Sequence, residues 1–130
     1  MKNISKVLVV ILIIGILFAF TSCGPYAKEA GVYECYELKL NGIPSLELYE
    51  YYRITLNKDG TCLVESKGVA QSSSYSANAT FSIKDAKIEI VTTNGSQSVT
   101  EVYDYVDGEI HMQGSAMGVT LSAKFAREGK

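Results

Sequence analysis

Residues 81–112 read FSIKDAKIEIVTTNGSQSVTEVYDYVDGEIHM, and this stretch decides the fold. β-branched and aromatic residues alternate with polar ones along it, which is the period-2 pattern of strands with one buried face. Three short breaks interrupt the pattern, at Asp85-Ala86, Asn94-Gly95 and Asp107-Gly108. Asn-Gly and Asp-Gly are strong signals for two-residue hairpin turns, because both turn positions then take a positive φ. The stretch therefore predicts consecutive antiparallel strands joined by tight turns.

Two-residue turns also predict which residues face each other across neighbouring strands. The predicted pairs are Ile83 with Ile88, Phe81 with Ile90, Ile90 with Val99, Tyr105 with Ile110, Tyr103 with Met112 and Asp104 with His111. The apolar pairs share one inward face, to which the other strands add Tyr75, Ala77, Ala79, Ile54, Leu56, Cys62, Val64, Val119, Leu121, Ala123 and Phe125. The opposite face carries Asp104, Glu109, His111 and Lys124, as a solvated outer surface should.

The same pattern extends over most of the chain. Eight strands are predicted at 32–40, 49–57, 61–67, 75–83, 87–93, 97–106, 109–113 and 119–127. Only 41–48 and 68–74 read as longer connections. The predicted fold is all-β: an eight-stranded antiparallel up-and-down meander that closes into a small barrel and so removes exposed edges.

The amino terminus has the layout of a secretory signal peptide. A basic start precedes an apolar run of 14 residues at 7–20, shorter than the about 20 residues that span a bilayer. The run ends in AFTSCG at 19–24, which resembles the lipobox of bacterial lipoproteins, although Phe20 stands where Leu is usual. In that family the cysteine receives a diacylglycerol and the preceding peptide is removed. The alternative is an uncleaved anchor with a chance cysteine.

The lipobox resemblance implies three segments and a cellular location. Residues 1–22 are then a lipoprotein signal peptide, 23–30 a tether lipidated at Cys23, and 31–130 the barrel domain. The protein is then anchored in the cell envelope by its amino-terminal lipid, outside the cytoplasm. Loss of the two leader lysines leaves about four more acidic than basic residues. That balance disfavours a nucleic-acid partner and allows a cationic one.

Two cysteines, Cys35 and Cys62, remain after lipidation. Outside the cytoplasm they can form a disulfide, or they can be two buried free thiols. His111 is the only histidine, and no spacing typical of metal ligands or of a cofactor motif occurs. A His111–Asp104 pair could transfer protons, but it lies on the predicted outer face, where a solvated pair is the simpler reading. The sequence thus predicts no catalytic residue, no metal, no cofactor and no enzyme.

The first and last strands add a second resemblance. Gly31-Val32-Tyr33 begins the first strand and Arg127 ends the last. With the eight-stranded meander, this resembles the lipocalin-like (calycin) barrels, in which Gly-x-Trp stands at the first position. Tyr33 replaces that Trp, and the domain is shorter than a lipocalin body. The resemblance implies that Arg127 packs across Tyr33 and closes the barrel base. The alternative is an ordinary core tyrosine and an exposed terminal arginine.

Inward-facing residues are candidates for lining a ligand pocket. These candidates are Tyr33, Tyr75, Phe81, Glu101, Tyr103, Tyr105 and Met112. They can equally fill the barrel as core, since an eight-stranded barrel holds either packed side chains or one small ligand. Glu101 can anchor a ligand, pair with Arg127 or lie in water at the barrel mouth, and the mouth is favoured.

Two functions are compatible with this pattern. The first is a non-enzymatic, membrane-anchored domain that binds a small, partly apolar ligand in its barrel. The second is a protein-interaction module, an envelope assembly factor or an enzyme inhibitor, with a filled barrel. A tyrosine-rich cluster at 49–53 motivates the second, because Tyr and Arg are favoured at interfaces.

Overall fold

The computed structural model describes residues 24–128, in which strand follows strand around a barrel in chain order. The strands are β1 (Gly31–Leu40), β2 (Ile43–Pro44), β3 (Tyr49–Leu56), β4 (Thr61–Gly68), β5 (Tyr75–Lys84), β6 (Lys87–Asn94), β7 (Gln97–Val106), β8 (Glu109–Ala116) and β9 (Val119–Arg127). β1 pairs with both β3 and β9, which closes the barrel. The two-residue β2 pairs antiparallel with the last two residues of β1. The predicted eight-stranded meander is therefore confirmed, with one short extra strand.

The predicted signal peptide at 1–22 and the lipidation site Cys23 lie outside the described residues. Within 24–128, no helix has the length and hydrophobicity needed to cross a bilayer.

Two of the three predicted turns set the register as expected. Asp85 and Ala86 have φ of 54° and 59°, and Asp107 and Gly108 have φ of 54° and 75°. Positive φ at both central positions is the geometry that matches the twist of antiparallel strands. The pairs predicted from these turns are confirmed for Ile83 with Ile88, Phe81 with Ile90, Tyr105 with Ile110 and Asp104 with His111.

The turn between β6 and β7 lies one residue later than predicted. Asn94 pairs with Gln97, so Gly95 and Ser96 form the turn, and Ile90 faces Glu101 rather than Val99. Gly95 has φ of 65° and takes the first central position, the only one that needs a positive φ in a type II′ turn. Because the partner moves by two residues, each side chain stays on its predicted face.

Hydrophobic side chains fill one end of the barrel, which we call the base. The base carries the turns at 57–60, 85–86 and 107–108. Tyr33, Ile54, Ile88, Ile110 and Phe125 have no exposed surface. The opposite end, the mouth, carries the connections at 41–48, 69–74, 95–96 and 117–118. Packing is thus completed at the base and not at the mouth.

The barrel wall opens between β7 and β8 towards the mouth. These strands share three residue pairs, from Asp104–His111 to Val106–Glu109. By contrast, β7 shares eight pairs with β6, and β8 shares eight with β9. The predicted pair Tyr103–Met112 is absent, because the strands separate there. We call the gap between 97–103 and 112–116 the seam. Along the seam the edges of β7 and β8 are not paired with each other, so the expectation that barrel closure removes every strand edge is wrong.

Candidate binding site at the barrel mouth

Tyr33 and Arg127 close the base together. They face each other across β1 and β9, and the guanidinium carbon of Arg127 lies 5.5 Å from the Tyr33 ring centroid. Arg127 Nη1 donates to the carbonyl oxygens of Lys28, at 2.6 Å, and Ala30, at 3.4 Å. Gly31 has φ of 147°, and a Cβ there would lie 3.0 Å from Arg127 Cδ. A glycine at this position thus leaves room for the arginine side chain, which lies over the Tyr33 ring.

The Tyr33 hydroxyl belongs to this closure. It donates to the carbonyl oxygen of Glu29 at 2.6 Å and lies 2.8 Å from the Tyr105 hydroxyl, which therefore donates to it. Burial, and then the bond from Tyr105, raise the pKa of Tyr33 well above its ordinary value. Phe81 packs on Tyr26 with ring centroids 4.7 Å apart. Tyr33, Phe81 and Tyr105 are thus part of the base packing.

The segment predicted as a tether lies against the base. Tyr26 donates its backbone N–H to the carbonyl of Lys58 at 3.0 Å, and Ala30 donates back to the carbonyl of Tyr26. Between this segment and the β3–β4 turn runs an outer groove of about 940 Å³. Among the described residues that line this groove, the charged ones are Lys58 and Asp59 and none is aromatic. The groove therefore lacks the tyrosine rings found at the mouth.

The other four ligand-lining candidates meet at the mouth. A cavity of about 150 Å³, here called the inner cavity, is lined by Tyr52, Ile54, Val64, Tyr75, Ala77, Ile90, Thr92, Glu101, Tyr103 and Met112. A cleft of about 520 Å³ follows the seam and is lined by Leu40, Glu101, Val102, Tyr103, Met112, Gln113, Gly114, Ser115, Ala116, Val119 and Leu121. Glu101, Tyr103 and Met112 border both spaces, so the inner cavity and the seam cleft adjoin.

Small side chains between large ones explain the inner cavity. Tyr52 pairs with Ser66 and Ser66 with Tyr75, so one serine separates two tyrosines on the inward face. One step nearer the base, Val64 pairs with Ala77, which again fills little space. Tyr52 also packs edge-on against Phe125 at 5.0 Å, so the lower side of the cavity rests on the filled core.

At the mouth, tyrosine side chains lie beside the carboxylate of Glu101. Burial first, with smaller contributions from neighbours that include Tyr49 and Glu101, raises the pKa of Tyr52 to about 12. Its hydroxyl lies 3.9 Å from Met112 Sδ, to which it donates. Glu101 is exposed at the mouth, as favoured from the sequence, and among residues 24–128 it makes no ion pair. Arg127 lies at the base, so these two residues are not partners.

Cys35 and Cys62 are free thiols in the structure, with Cys62 buried and Cys35 partly buried. The register aligns Cys62 with Leu56 and Leu56 with Gly31. The cysteines are thus two strands and four residues apart, about 13 Å along the strand direction alone. A disulfide requires Cα atoms within about 7 Å. Burial raises the pKa of both thiols to about 11, so neither is a thiolate at neutral pH.

Histidine and its neighbours form an outer-face network. His111 faces Asp104 in the register, yet its Nε2 lies 3.0 Å from Glu109 Oε1, and Asp104 pairs with Lys87. Tyr36 donates its hydroxyl to Glu109 at 2.6 Å. His111 and Asp104, which the sequence offered as an acid–base pair, therefore each contact a different charged side chain. In the part of the chain that is described, no three His, Cys, Asp or Glu side chains gather as a metal site would require.

Sequence reasoning missed Tyr52 and the seam-facing end of β8. Tyr52 is in phase with Ile54 and Leu56, so period-2 alternation alone would place it inward. β8 was predicted to end at 113, but it continues to Ala116 and turns through Met117 and Gly118. Met117 has φ of 53°, which is uncommon for a non-glycine residue and not suggested by its identity.

Protein-family models, curated proteins and solved structures give no match to this chain. The structural class of the protein is therefore defined by its fold. This is an eight-stranded antiparallel β-barrel, which fits a lipocalin-like barrel in general shape.

Proposed function

We propose that the chain is a membrane-anchored, extracytoplasmic lipoprotein whose barrel binds a small, partly apolar ligand at its mouth without catalysing a reaction. One observation carries the binding proposal. The same strands that pack tightly at the base separate at the seam, where they leave the inner cavity and the seam cleft open. Binding sites for small molecules are typically apolar concavities of about 300–1,000 Å³ with a few convergent polar groups.

The position of residue 24 supports an orientation for this site. Gly24 lies against Lys58 at the base, so a lipid on the preceding cysteine would attach at that end. The mouth would then point away from the bilayer. Strands of this length, tilted as in barrels, would put it about 25 Å from the base. A ligand would therefore enter from the aqueous side, as a soluble molecule does.

Filling the inner cavity should weaken the binding of an apolar molecule. We expect 1-N-phenylnaphthylamine, a neutral fluorescent probe, to bind a soluble form that begins at Gly24 and contains the whole described barrel. In Ala77→Phe the new ring occupies the cavity, and the probe affinity falls about tenfold, equal to losing roughly 55 Å² of apolar contact. A fluorescence titration measures both affinities.

Ser76→Phe is the matched control, because Ser76 is the exposed neighbour on the outer face of the same strand. It adds the same ring without entering the cavity, and its affinity should equal that of the native protein. Circular dichroism checks that both variants keep the native β-sheet content. Absence of probe binding to the native protein, or native affinity in folded Ala77→Phe, would refute the proposal.

One observation favours the protein-interaction alternative. On the outer face of β3, the guanidinium carbon of Arg53 lies 4.4 Å from the centroid of the Tyr51 ring, and its Nε is 3.2 Å from Glu65 Oε1. Pre-organised Tyr and Arg side chains are typical of interface hot spots. Tyr49 and Tyr52 of the same cluster instead pack against each other and the core, so Tyr51 is the one tyrosine of the three that stacks with Arg53 on the outer face.

A further inference from the structure

Three phenol rings from three strands border the inner cavity. Tyr52 comes from β3, Tyr75 from β5 and Tyr103 from β7. The inner cavity is small, about 150 Å³, so a group bound in it lies close to the rings that line it. An aromatic ring attracts a cation placed within about 6 Å of its centroid. Rings on several sides of so small a space are the arrangement that recognises ammonium groups in proteins.

A carboxylate completes the lining. Glu101 borders both the inner cavity and the seam cleft. Among residues 24–128, no Lys, Arg or His lines either space. The formal charge that these described residues offer to a ligand is therefore negative, which disfavours an anion and leaves a cation as the complementary ligand.

Tyr52 keeps the character that a cation needs. The pKa of Tyr52 is raised to about 12, so this ring stays a neutral phenol with a negative π face at physiological pH. Its position against Phe125 and Met112 fixes the ring from below. Tyr75 is 57% exposed and lies at the rim, where it can contact a ligand as it enters.

We propose, resting on the proposed function, that the ligand carries an ammonium group, which the inner cavity holds among Tyr52, Tyr75 and Tyr103 beside the Glu101 carboxylate. The apolar remainder of the ligand lies in the seam cleft, along Leu40, Leu121 and Val119. The ligand class is thus an amine or quaternary ammonium compound with an apolar body, rather than a fatty acid or a neutral apolar molecule.

Choline and 3,3-dimethyl-1-butanol test this directly. They have the same shape, and only choline carries the charge. We expect choline to bind the soluble form that begins at Gly24 about tenfold more tightly than the neutral alcohol, since a partly desolvated cation–π site has about that discrimination. A titration followed by NMR of the tyrosine rings reports both affinities and the ring that each compound contacts.

Glu101→Gln should weaken choline binding about tenfold and leave the alcohol unchanged, because the change removes only the charge. Glu89→Gln is the matched control: Glu89 is an exposed carboxylate on the outer face of the adjacent strand β6. Equal affinities for choline and the alcohol, or equal choline affinities in Glu101→Gln and Glu89→Gln, would overturn the inference.

The neutral probe 1-N-phenylnaphthylamine separates the two proposals. If it binds at the mouth while choline shows no advantage over the alcohol, the ammonium inference fails and the proposed function stands. If the probe does not bind the native protein, the proposed function fails, and the ammonium inference that rests on it fails too. If choline binds and displaces the probe, both are supported.

Discussion

Tyr33→Ala is expected to lower the free energy of unfolding by about 3–5 kcal/mol, the usual loss when a large buried aromatic side chain is truncated. Tyr33 has no exposed surface. The substitution leaves a cavity at the base, removes the ring beneath Arg127 and ends the hydrogen bonds to Glu29 and Tyr105. Urea denaturation followed by circular dichroism measures the loss.

Two companion variants separate burial from hydrogen bonding. Tyr33→Phe keeps the ring and loses only the hydroxyl, so we expect a loss of about 1–3 kcal/mol. Tyr36→Ala, in the same strand, removes a tyrosine that is 48% exposed on the outer face, and it should cost about 1 kcal/mol or less. If Tyr33→Ala were no more destabilising than Tyr36→Ala, the base would not be packed as described.

Acylation is expected to disappear entirely in Cys23→Ser. The lipobox resemblance implies that this thiol alone receives the lipid, and two acyl chains are enough for stable anchoring. Growth with a labelled fatty acid should give a labelled native chain and an unlabelled Cys23→Ser chain. The mass of the intact protein should show that residues 1–22 are removed from the native chain and retained in Cys23→Ser.

Cys35→Ser is the control for this experiment, since it removes another thiol but leaves the lipobox unchanged. Its label should equal that of the native chain. A native chain without label that retains residues 1–22 would instead establish the uncleaved-anchor alternative.

Local turn chemistry explains why most of the fold could be predicted. Asp107-Gly108 can adopt positive φ at both positions, so the register next to it followed directly from the sequence. Asn94-Gly95 was ambiguous, because Gly95 can occupy either the second position of a type I′ turn or the first of a type II′ turn. The structure has the type II′ turn. The predicted residue pairs between β6 and β7 are therefore wrong, but the assignment of residues to the inward face is right, because the pairing shifts by two residues.

The open seam could not be predicted, because a turn fixes pairing only near itself. The turn at 107–108 aligns Tyr105 with Ile110, but β7 and β8 separate two residues further on. Whether two strands stay paired there depends on the twist of the whole barrel and on the packing between its strands. Gly114 lies in the seam, and no atom of the described residues other than its chain neighbours lies within 4 Å of the position its Cβ would take. A glycine here therefore leaves the gap open.

The predicted ligand-lining residues lie at two different heights in the barrel. Four predicted lining residues meet at the mouth and three lie in the packed base. A sequence pattern assigns a residue to the inner or outer face, but not to a height within the barrel. Height depends on strand stagger, which the closing pairs between β1 and β9 set through contacts distant in sequence.

Native mass spectrometry of the soluble form that begins at Gly24 tests ligand binding at the mouth most directly. We predict a bound small molecule that dissociates on denaturation and that occupies a smaller fraction of Ala77→Phe purified in parallel. A bare protein mass for the native form, unchanged after incubation with 1-N-phenylnaphthylamine, would contradict the account and leave a filled barrel that acts through its outer face.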